Sequence, residues 1–418
     1  MLLATLARRV VREGRLTLID HRGREHRIEG ERDGPRAALR FHTAKAERAM
    51  VLQPELALGE GYMDGVITPQ DCDISDVLRV LMRNMKYLDR NGFHHRFMQG
   101  LRFLRRRFDQ HNPVGRARDN VAHHYDLSSE LYARFLDSDR FYSCAYFPTG
   151  RETLEEAQAA KARHLAAKLR LTPNARVLDI GCGWGSLAMH LVRLGAQRVD
   201  GVTLSQEQHA WASEWARREK LDRQARFHLR DYRDVEEQYD RIVSVGMFEH
   251  VGVGHYQEYF EKVAELLKDD GVAVIHSIGR SGPPGTTNPW LAKYIFPGGY
   301  IPALSEVLPV IEKTGLKVTD VEILRLHYAK TLNHWRARFR AHWDEIAELY
   351  DERFCRMWDF YLAGSEMSFI EGEMMVFQIQ LAKTHAAVPL TRDYIHRFEQ
   401  AHPLEQTMSE DKVEHSAE

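Results

Sequence analysis

The stretch Val177-Leu178-Asp179-Ile180-Gly181-Cys182-Gly183-Trp184-Gly185 is where this sequence first offers chemistry. An apolar run ends at Ile180, glycines follow at alternate positions, and a helical pattern starts near Ser186. Glycines at such a strand-to-helix turn allow a tight bend and close approach of backbone to a ligand. In an open α/β sheet, ligands collect outside the carboxyl ends of the strands. The spacing is G-x-G-x-G and departs from the G-x-G-x-x-G of dinucleotide loops. Other polar residues stand where further apolar runs stop. Thr203, Leu204 and Ser205 close one run, with Gln208 at the start of the next helix, and Asp231 and Tyr232 close another. A carboxylate there can accept from a purine amino group, and a ring can pack on the purine face, although Asp231 is equally suited to cap a helix. Glu249 and His276 end two more runs. A lone buried His is usually structural, and a second ionisable residue at the adjacent strand end turns the balance toward a functional site.

The elements that must position these residues alternate. RVLDI, RVDGVTLS, ARFHLRD, DRIVSVGMF and GVAVIHSIG read as strands, and SLAMHLVRLG, QEQHAWASEWARREK and HYQEYFEKVAELLKD as helices. The alternation predicts an α/β domain with a parallel sheet and helices on both faces. Residues 281–303 interrupt it with a Gly/Pro loop carrying aromatics, and residues 335–382 read as long helix. The stripe Trp335, Phe339, Trp343, Ile346, Tyr350, Phe354 and Trp358 is expected in the core. Upstream, LTLID and HRIEG flank a charged turn as in a hairpin, and residues 74–109 read as helix broken at Asn91-Gly92. HNPVGRARDN reads as a linker. Residues 1–115 are thus expected to form a small α+β domain with linker, 116–395 the α/β domain, and 396–418 a disordered tail.

The chain has 418 residues, 44% hydrophobic and 28% charged, which excludes a disordered or collagen-like composition. Its 58 Lys and Arg against 60 Asp and Glu give a net charge of −2. That balance conceals two opposed parts: residues 1–120 hold 23 basic and 16 acidic side chains, a net of +7, and the remainder 35 against 44, a net of −9. From Arg79 to Arg118 there are 11 basic and 2 acidic residues. Within it Phe93, Phe97, Leu101, Leu104 and Phe108 interleave with Arg96, Arg102, Arg105, Arg106 and Arg107, as in a basic amphipathic helix on an anionic membrane surface. No recognised nucleic-acid module accompanies the charge, so membrane is preferred to nucleic acid. Cys72, Cys144, Cys182 and Cys355 show no metal spacing, and reduced thiols in a cytosol are the default. The apolar run before Arg8 is too short for a secretory signal, and no run approaches the ~18 apolar residues of a membrane span. Peripheral membrane association from the cytoplasm is therefore expected.

HHYDLSSELY (123–132), FYSCAYF (141–147), VLDIGCGWG (177–185), GVTLSQEQ (201–208), GMFEHVG (246–252), IHSIG (275–279), YIFPGGYIP (294–302) and HYAKTLNHW (327–335) together resemble the cyclopropane-fatty-acid-phospholipid synthases. The resemblance implies a Rossmann-like class I methyltransferase fold using S-adenosylmethionine (SAM) as co-substrate. It implies a methylene added across the cis double bond of unsaturated phospholipid acyl chains, through a carbocation, with bound bicarbonate as base. The family's SAM-binding positions fall on Tyr142, Ser143, Asp179, Gly181, Cys182, Gly183, Gly185, Thr203, Leu204, Ser205, Gln208, Asp231 and Tyr232. Thr203 stands where many methyltransferases carry an acidic residue for the ribose, which leaves Gln208 to supply hydrogen bonds. The bicarbonate cradle falls on Cys144 and Ile278 through their backbones and on Glu249, His276 and Tyr328. From the residues alone, Cys144 reads more commonly as a small buried hydrophobe and Tyr328 as a core tyrosine that only the motif promotes. Tyr146, Phe147, Phe248, Tyr294, Phe296 and Tyr300 suit an acyl tunnel. The resemblance also implies a lipid-assisting N-terminal domain and a homodimer. A related enzyme making a methyl or methylene branch is the alternative.

Overall fold

The computed structural model describes residues 1–87 and 127–404. The N-terminal unit is a four-stranded sheet in the order β2-β1-β3-β4, from β1 (Glu13–Ile19), β2 (Glu25–Glu29), β3 (Arg32–Phe41) and β4 (Ile67–Pro69). β1 and β2 form the expected hairpin, Ile19 opposite Glu25. Asp20 makes its turn by accepting from the backbone N–H groups of Arg22 and Arg24. Helix α1 (Leu2–Val10) precedes this sheet, and α2 (Ala44–Leu52) and α3 (Pro54–Met63) link β3 to β4. Helix α4 (Ile74–Asn84) starts at a capping box of Asp73 and Asp76 and buries Ile74, Val77 and Leu78. It ends at Asn84, and residues 88–109 of the expected helical stretch lie outside the described residues. Asn84 accepts from the backbone N–H groups of Arg12 and Glu13, which ties the helix end to β1. Within the basic segment, Arg79 and Arg83 pair with Glu371 and Lys86 with Glu13. The remainder of that segment, with its Phe and Arg residues, lies outside the described residues.

The larger sheet has seven strands in the order β10-β11-β9-β8-β5-β6-β7, where β10 is Lys317–Ile323 and β11 is Met374–Ala382. β5 (Arg176–Ile180), β6 (Arg198–Thr203), β7 (Ala225–Leu229), β8 (Tyr239–Val245) and β9 (Leu267–Arg280) run parallel, as the alternation predicts. Following the short α5 (Ser129–Phe135), the helices α6 (Leu154–Lys168), α7 (Ser186–Arg193), α8 (Gln206–Arg218) and α9 (Tyr256–Leu266) cover the sheet. This is the expected Rossmann-like α/β arrangement.

Several expectations need correction. The Gly/Pro loop contains α10 (Pro289–Tyr294), capped by Asn288 with proline at its first position, and is followed by α11 (Leu304–Ile311). Residues 335–382 are not one helix. They divide among α12 (His327–Ala341), α13 (Trp343–Leu349), α14 (Glu352–Ile370) and the strand β11 (Met374–Ala382). β11 lies between β9 and β10 (Lys317–Ile323), antiparallel to both. It is covered on both faces; Met374–Phe377 are apolar without a break, and only Gln378 and Gln380 alternate with apolar neighbours, too short a signal to part it from the preceding helix. Helix α15 (Asp393–Ala401) carries the fold past residue 395, with Glu399 bonded to His164 of α6 at 2.7 Å. Residues 405–418 of the expected tail lie outside the described residues.

The aromatic stripe does build core: Trp335, Phe339, Ile346 and Trp358 are buried. Beside it, buried Asp359 accepts from Arg336 at 2.8 Å, Arg340 at 2.7 Å and Tyr62 at 2.9 Å. Asp73 meets both arginines, so one charge network joins the N-terminal unit to α12 and α14.

Candidate active site

The glycine loop leaves the carboxyl end of β5 with positive φ at Gly181 (76°), Gly183 (54°) and Gly185 (85°), a region costly for any other residue. The three glycines do different work. A Cβ at Gly181 would come within 2.6 Å of Met247, and one at Gly185 within 2.7 Å of Phe227. A Cβ at Gly183 would meet nothing nearer than Gln208 at 4.0 Å, because this glycine faces a pocket. That pocket is walled by Gly181, Gly183, Thr203, Leu204, Gln208, Asp231 and Tyr232, all expected from the sequence, together with Gly246, Met247 and His250. Thr203 Oγ1 donates to Gln208 Oε1 at 3.1 Å, which orients the amide. Asp231 lines the pocket and also caps a short turn, accepting from the Arg233 backbone at 3.0 Å and from its guanidinium at 2.9 and 2.7 Å.

Gly181, Gly183 and Gln208 continue into a second recess with Tyr142, Ser143, Asp179 and Cys182. Two expected residues stay out of the walls. Ser205 caps α8, accepting from Gln208 N at 3.3 Å, and Gly185 caps α7. Lys161 enters this recess unannounced by any motif. It is fully buried, donates to Ser143 Oγ at 2.7 Å, and sits 3.8 Å from the Phe141 ring centroid. Burial pushes its ammonium well down, and burial pushes the Asp179 carboxyl up to about 7 against the opposing charge of Lys161.

Cys144, Glu249, His276, Ile278 and Tyr328 converge on a further cavity, walled also by Phe296, Tyr300, Leu332, Phe369 and Met374. Gly246 and His250 belong to both this cavity and the glycine-loop pocket. Tyr142 and Ser143 belong to both the cavity and the recess. Glu249 follows β8, and its Oε1 accepts from Ile278 N at 2.6 Å while Oε2 is buried without a hydrogen bond. The Ile278 N–H that the resemblance assigns to an anion is thus given to Glu249 here. Burial raises the Glu249 carboxyl to about 7, against the pull of that N–H. His276 is held neutral by burial, reinforced by the charges of Lys161 and Lys168. Gln378 on β11 donates to its Nδ1 at 3.1 Å, so the imidazole proton sits on Nε2. The Cys144 thiol is buried and its ionisation is pushed up, which suits a backbone role better than a nucleophilic one. Its loop is pinned where Ala145 N donates to Thr331 Oγ1 of α12 at 3.0 Å.

Of the expected tunnel aromatics, only Phe296 and Tyr300 line the cavity. Tyr146 stacks on His164, Phe147 on His334, Phe248 packs against Tyr256 and Phe260, and Tyr294 bonds Glu60. Gln378 escaped the sequence reading because its strand did. The signal available was two glutamines, Gln378 and Gln380, at alternate positions in an apolar run.

A parallel sheet with a glycine loop at the carboxyl end of β5, a ligand pocket across the ends of β6 and β7 and a second cavity behind the end of β8 define a class I SAM-dependent methyltransferase. The chain belongs to the mycolic acid cyclopropane synthetase family, whose profile matches residues 113–379. It is 38% identical over 349 residues to the cyclopropane-fatty-acyl-phospholipid synthase of Escherichia coli (strain K12), covering 83% of this chain and 88% of that one. It is 36% identical to the tuberculostearic acid methyltransferase UfaA1 of Mycobacterium tuberculosis, covering 78% and 79%. The structure matches that of the mycolic acid cyclopropane synthase CmaA1 complexed with SAH and CTAB, with TM-score 0.60, 35% identity, and coverage of 65% of this chain and 99% of the other. The protein is therefore an enzyme, a SAM-dependent methyltransferase of the cyclopropane synthase family.

Proposed function

We propose that this enzyme transfers a methylene from SAM to the cis double bond of unsaturated acyl chains in membrane phospholipids, forming a cyclopropane. The observation that carries this reading is the convergence of Cys144, Glu249, His276, Ile278 and Tyr328 on one largely apolar cavity that adjoins the glycine-loop pocket. The pocket residues fit SAM: Gly183 leaves room, Gln208 and Asp231 offer polar atoms, and Tyr232 a ring. The unpartnered Glu249 Oε2 and the N–H on His276 Nε2 fit a small anion such as bicarbonate. When bound, SAM supplies an electrophilic methyl and bicarbonate a base. This chain's part is to position and to exclude. An alkene is a weak nucleophile, so the walls at Leu332, Phe369 and Met374 must hold it against the partition at Gly246. The same walls keep water from a carbocation. Glu249, partly protonated near neutrality, is a poorer trap for that cation than a free carboxylate.

The substrate lies in a bilayer, and residues 1–115 are assigned to lipid contact, with the segment from Arg79 to Arg118 on an anionic, cytoplasmic membrane surface. Among the described residues no helix is long and apolar enough to cross a membrane. Each basic residue near such a surface is worth about 1 kcal/mol. Liposome binding should weaken with salt, and neutralising Arg105, Arg106 and Arg107 should mimic salt. Equal binding by that variant at low salt would count against the surface.

The product decides the reaction. Purified enzyme, SAM and unsaturated phospholipid vesicles should give upfield cyclopropane protons by NMR. Vinylic or branched-methyl signals would favour the second reading, an acyl-chain methyltransferase making a branch, which the similarity to UfaA1 supports. Omitting bicarbonate should depress the rate, and full activity without it would remove bicarbonate from the mechanism.

A further inference from the structure

One cation in the acyl cavity has no part in the chemistry above. Arg280 lines it, two residues beyond Ile278 and four beyond His276 on β9. Alternate residues of a strand share a face, and four residues span about 13 Å, so Arg280 lies well outward of the reacting centre. Its backbone is fixed on both sides, donating to Pro302 O at 2.9 Å and facing Met374 of β11. Among the described residues its guanidinium has no ion pair or hydrogen bond, and its Nε is buried without a partner. The Glu373 carboxylate, in the turn before β11, lies against Gly282 of the loop after Arg280. The fork lies against Gly285 so closely that any Cβ there would collide with Nη1. A guanidinium held this way beside an apolar channel has an unmet demand for an anion, and its planar fork matches phosphate oxygens in pairs.

We propose that Arg280 is the headgroup site of the acyl cavity, binding the phosphodiester of the lipid whose unsaturated chain runs inward past Ile278 to His276. This rests on the reading of the enzyme as one that acts on acyl lipids. It adds that the phosphate itself is read, so that a diacyl lipid lacking phosphate is a poorer substrate.

The test compares dioleoylphosphatidylcholine with dioleoylglycerol at equal mole fraction in micelles of a neutral detergent. The zwitterionic lipid leaves surface charge matched. The unmodified enzyme should favour the phospholipid in kcat/KM, and R280Q should shrink that ratio by about tenfold or more, mainly through KM. R280K should keep part of it. G285A, which leaves the charge but displaces the fork, should lose part of it. An equal fall on both lipids, or an unchanged ratio in R280Q, overturns the proposal. Arg280-dependent inhibition of dioleoylglycerol turnover by inorganic phosphate, without a phospholipid preference, assigns the site to free phosphate and also overturns it. Binding is read separately, by tryptophan quenching with the brominated forms of both lipids. Arg280-dependent discrimination in binding without turnover upholds the site and sinks the reaction. Turnover with no Arg280-dependent discrimination does the reverse.

Discussion

Gln378 stands directly opposite His276 in the β9–β11 ladder, and its amide nitrogen donates to the imidazole Nδ1 at 3.1 Å. The bond places the imidazole proton on Nε2, the nitrogen left to meet a ligand. Gln378 is thus a positioning residue. Q378L removes the donor at similar volume and should lower kcat about tenfold with SAM affinity unchanged. Q378E should move the acid limb of the kcat–pH profile upward, because a carboxylate favours the imidazolium. Loss of SAM affinity in step with kcat would reduce Gln378 to a packing role.

Glu249 couples the site to stability. Its folded carboxyl titrates at about 7 against 4.5 ordinarily, because it is buried. The folded state therefore holds a proton that the unfolded state has released between those values, and stability falls as pH rises through that window. The whole effect is up to about 3 kcal/mol. E249Q cannot ionise, so its melting temperature should match the parent near pH 4 and exceed it near pH 8, while activity is lost. Parallel melting curves across that range would contradict the buried charge.

Gly183 and Gly185 should separate binding from folding. G183A meets no neighbour and costs only the strained backbone, about 1–2 kcal/mol, yet its methyl enters the pocket. It should fold and bind SAM at least tenfold more weakly by calorimetry. G185A adds a clash with Phe227 and Ala212 and should lower the melting temperature markedly. The opposite ranking would mean that the pocket lies elsewhere.

Asp359 holds two guanidinium groups and the Tyr62 hydroxyl while itself buried. D359N leaves buried Arg336 undercompensated and should cost about 3 kcal/mol in denaturant unfolding. A loss below 0.5 kcal/mol would show the network to be dispensable.

The parallel half of the sheet was legible because each strand carries its own turn signal: glycine after Ile180, Ser205 before α8, Asp231 before a turn. In the second cavity Glu249 and His276 were legible as ionisable residues at strand ends, whereas Cys144, Ile278 and Tyr328 came only from the resemblance. What supports them was not. Gln378 comes from a strand that opens with four apolar residues, so the short alternation at Gln378 and Gln380 was absorbed into the helical pattern before it. Lys161 sits in a helix with no motif of its own, and its meaning depends on Ser143, brought beside it by the fold. Phe248 and Tyr294 carry the aromatic character of a tunnel but face neighbours behind it, which residue type cannot reveal.

The placement of β11 has a consequence for synthesis. β9 ends at Arg280, and the strand that covers its open edge begins at Met374. Until that late segment leaves the ribosome, β9 is an uncovered edge and His276 lacks its donor, although β5, β6, β7 and β8 are already available to pair. The nascent chain can therefore assemble the glycine-loop side of the sheet before the second cavity is complete. A polypeptide truncated before residue 374 would keep the strands around the glycine loop and lose the strand that orients the His276 imidazole.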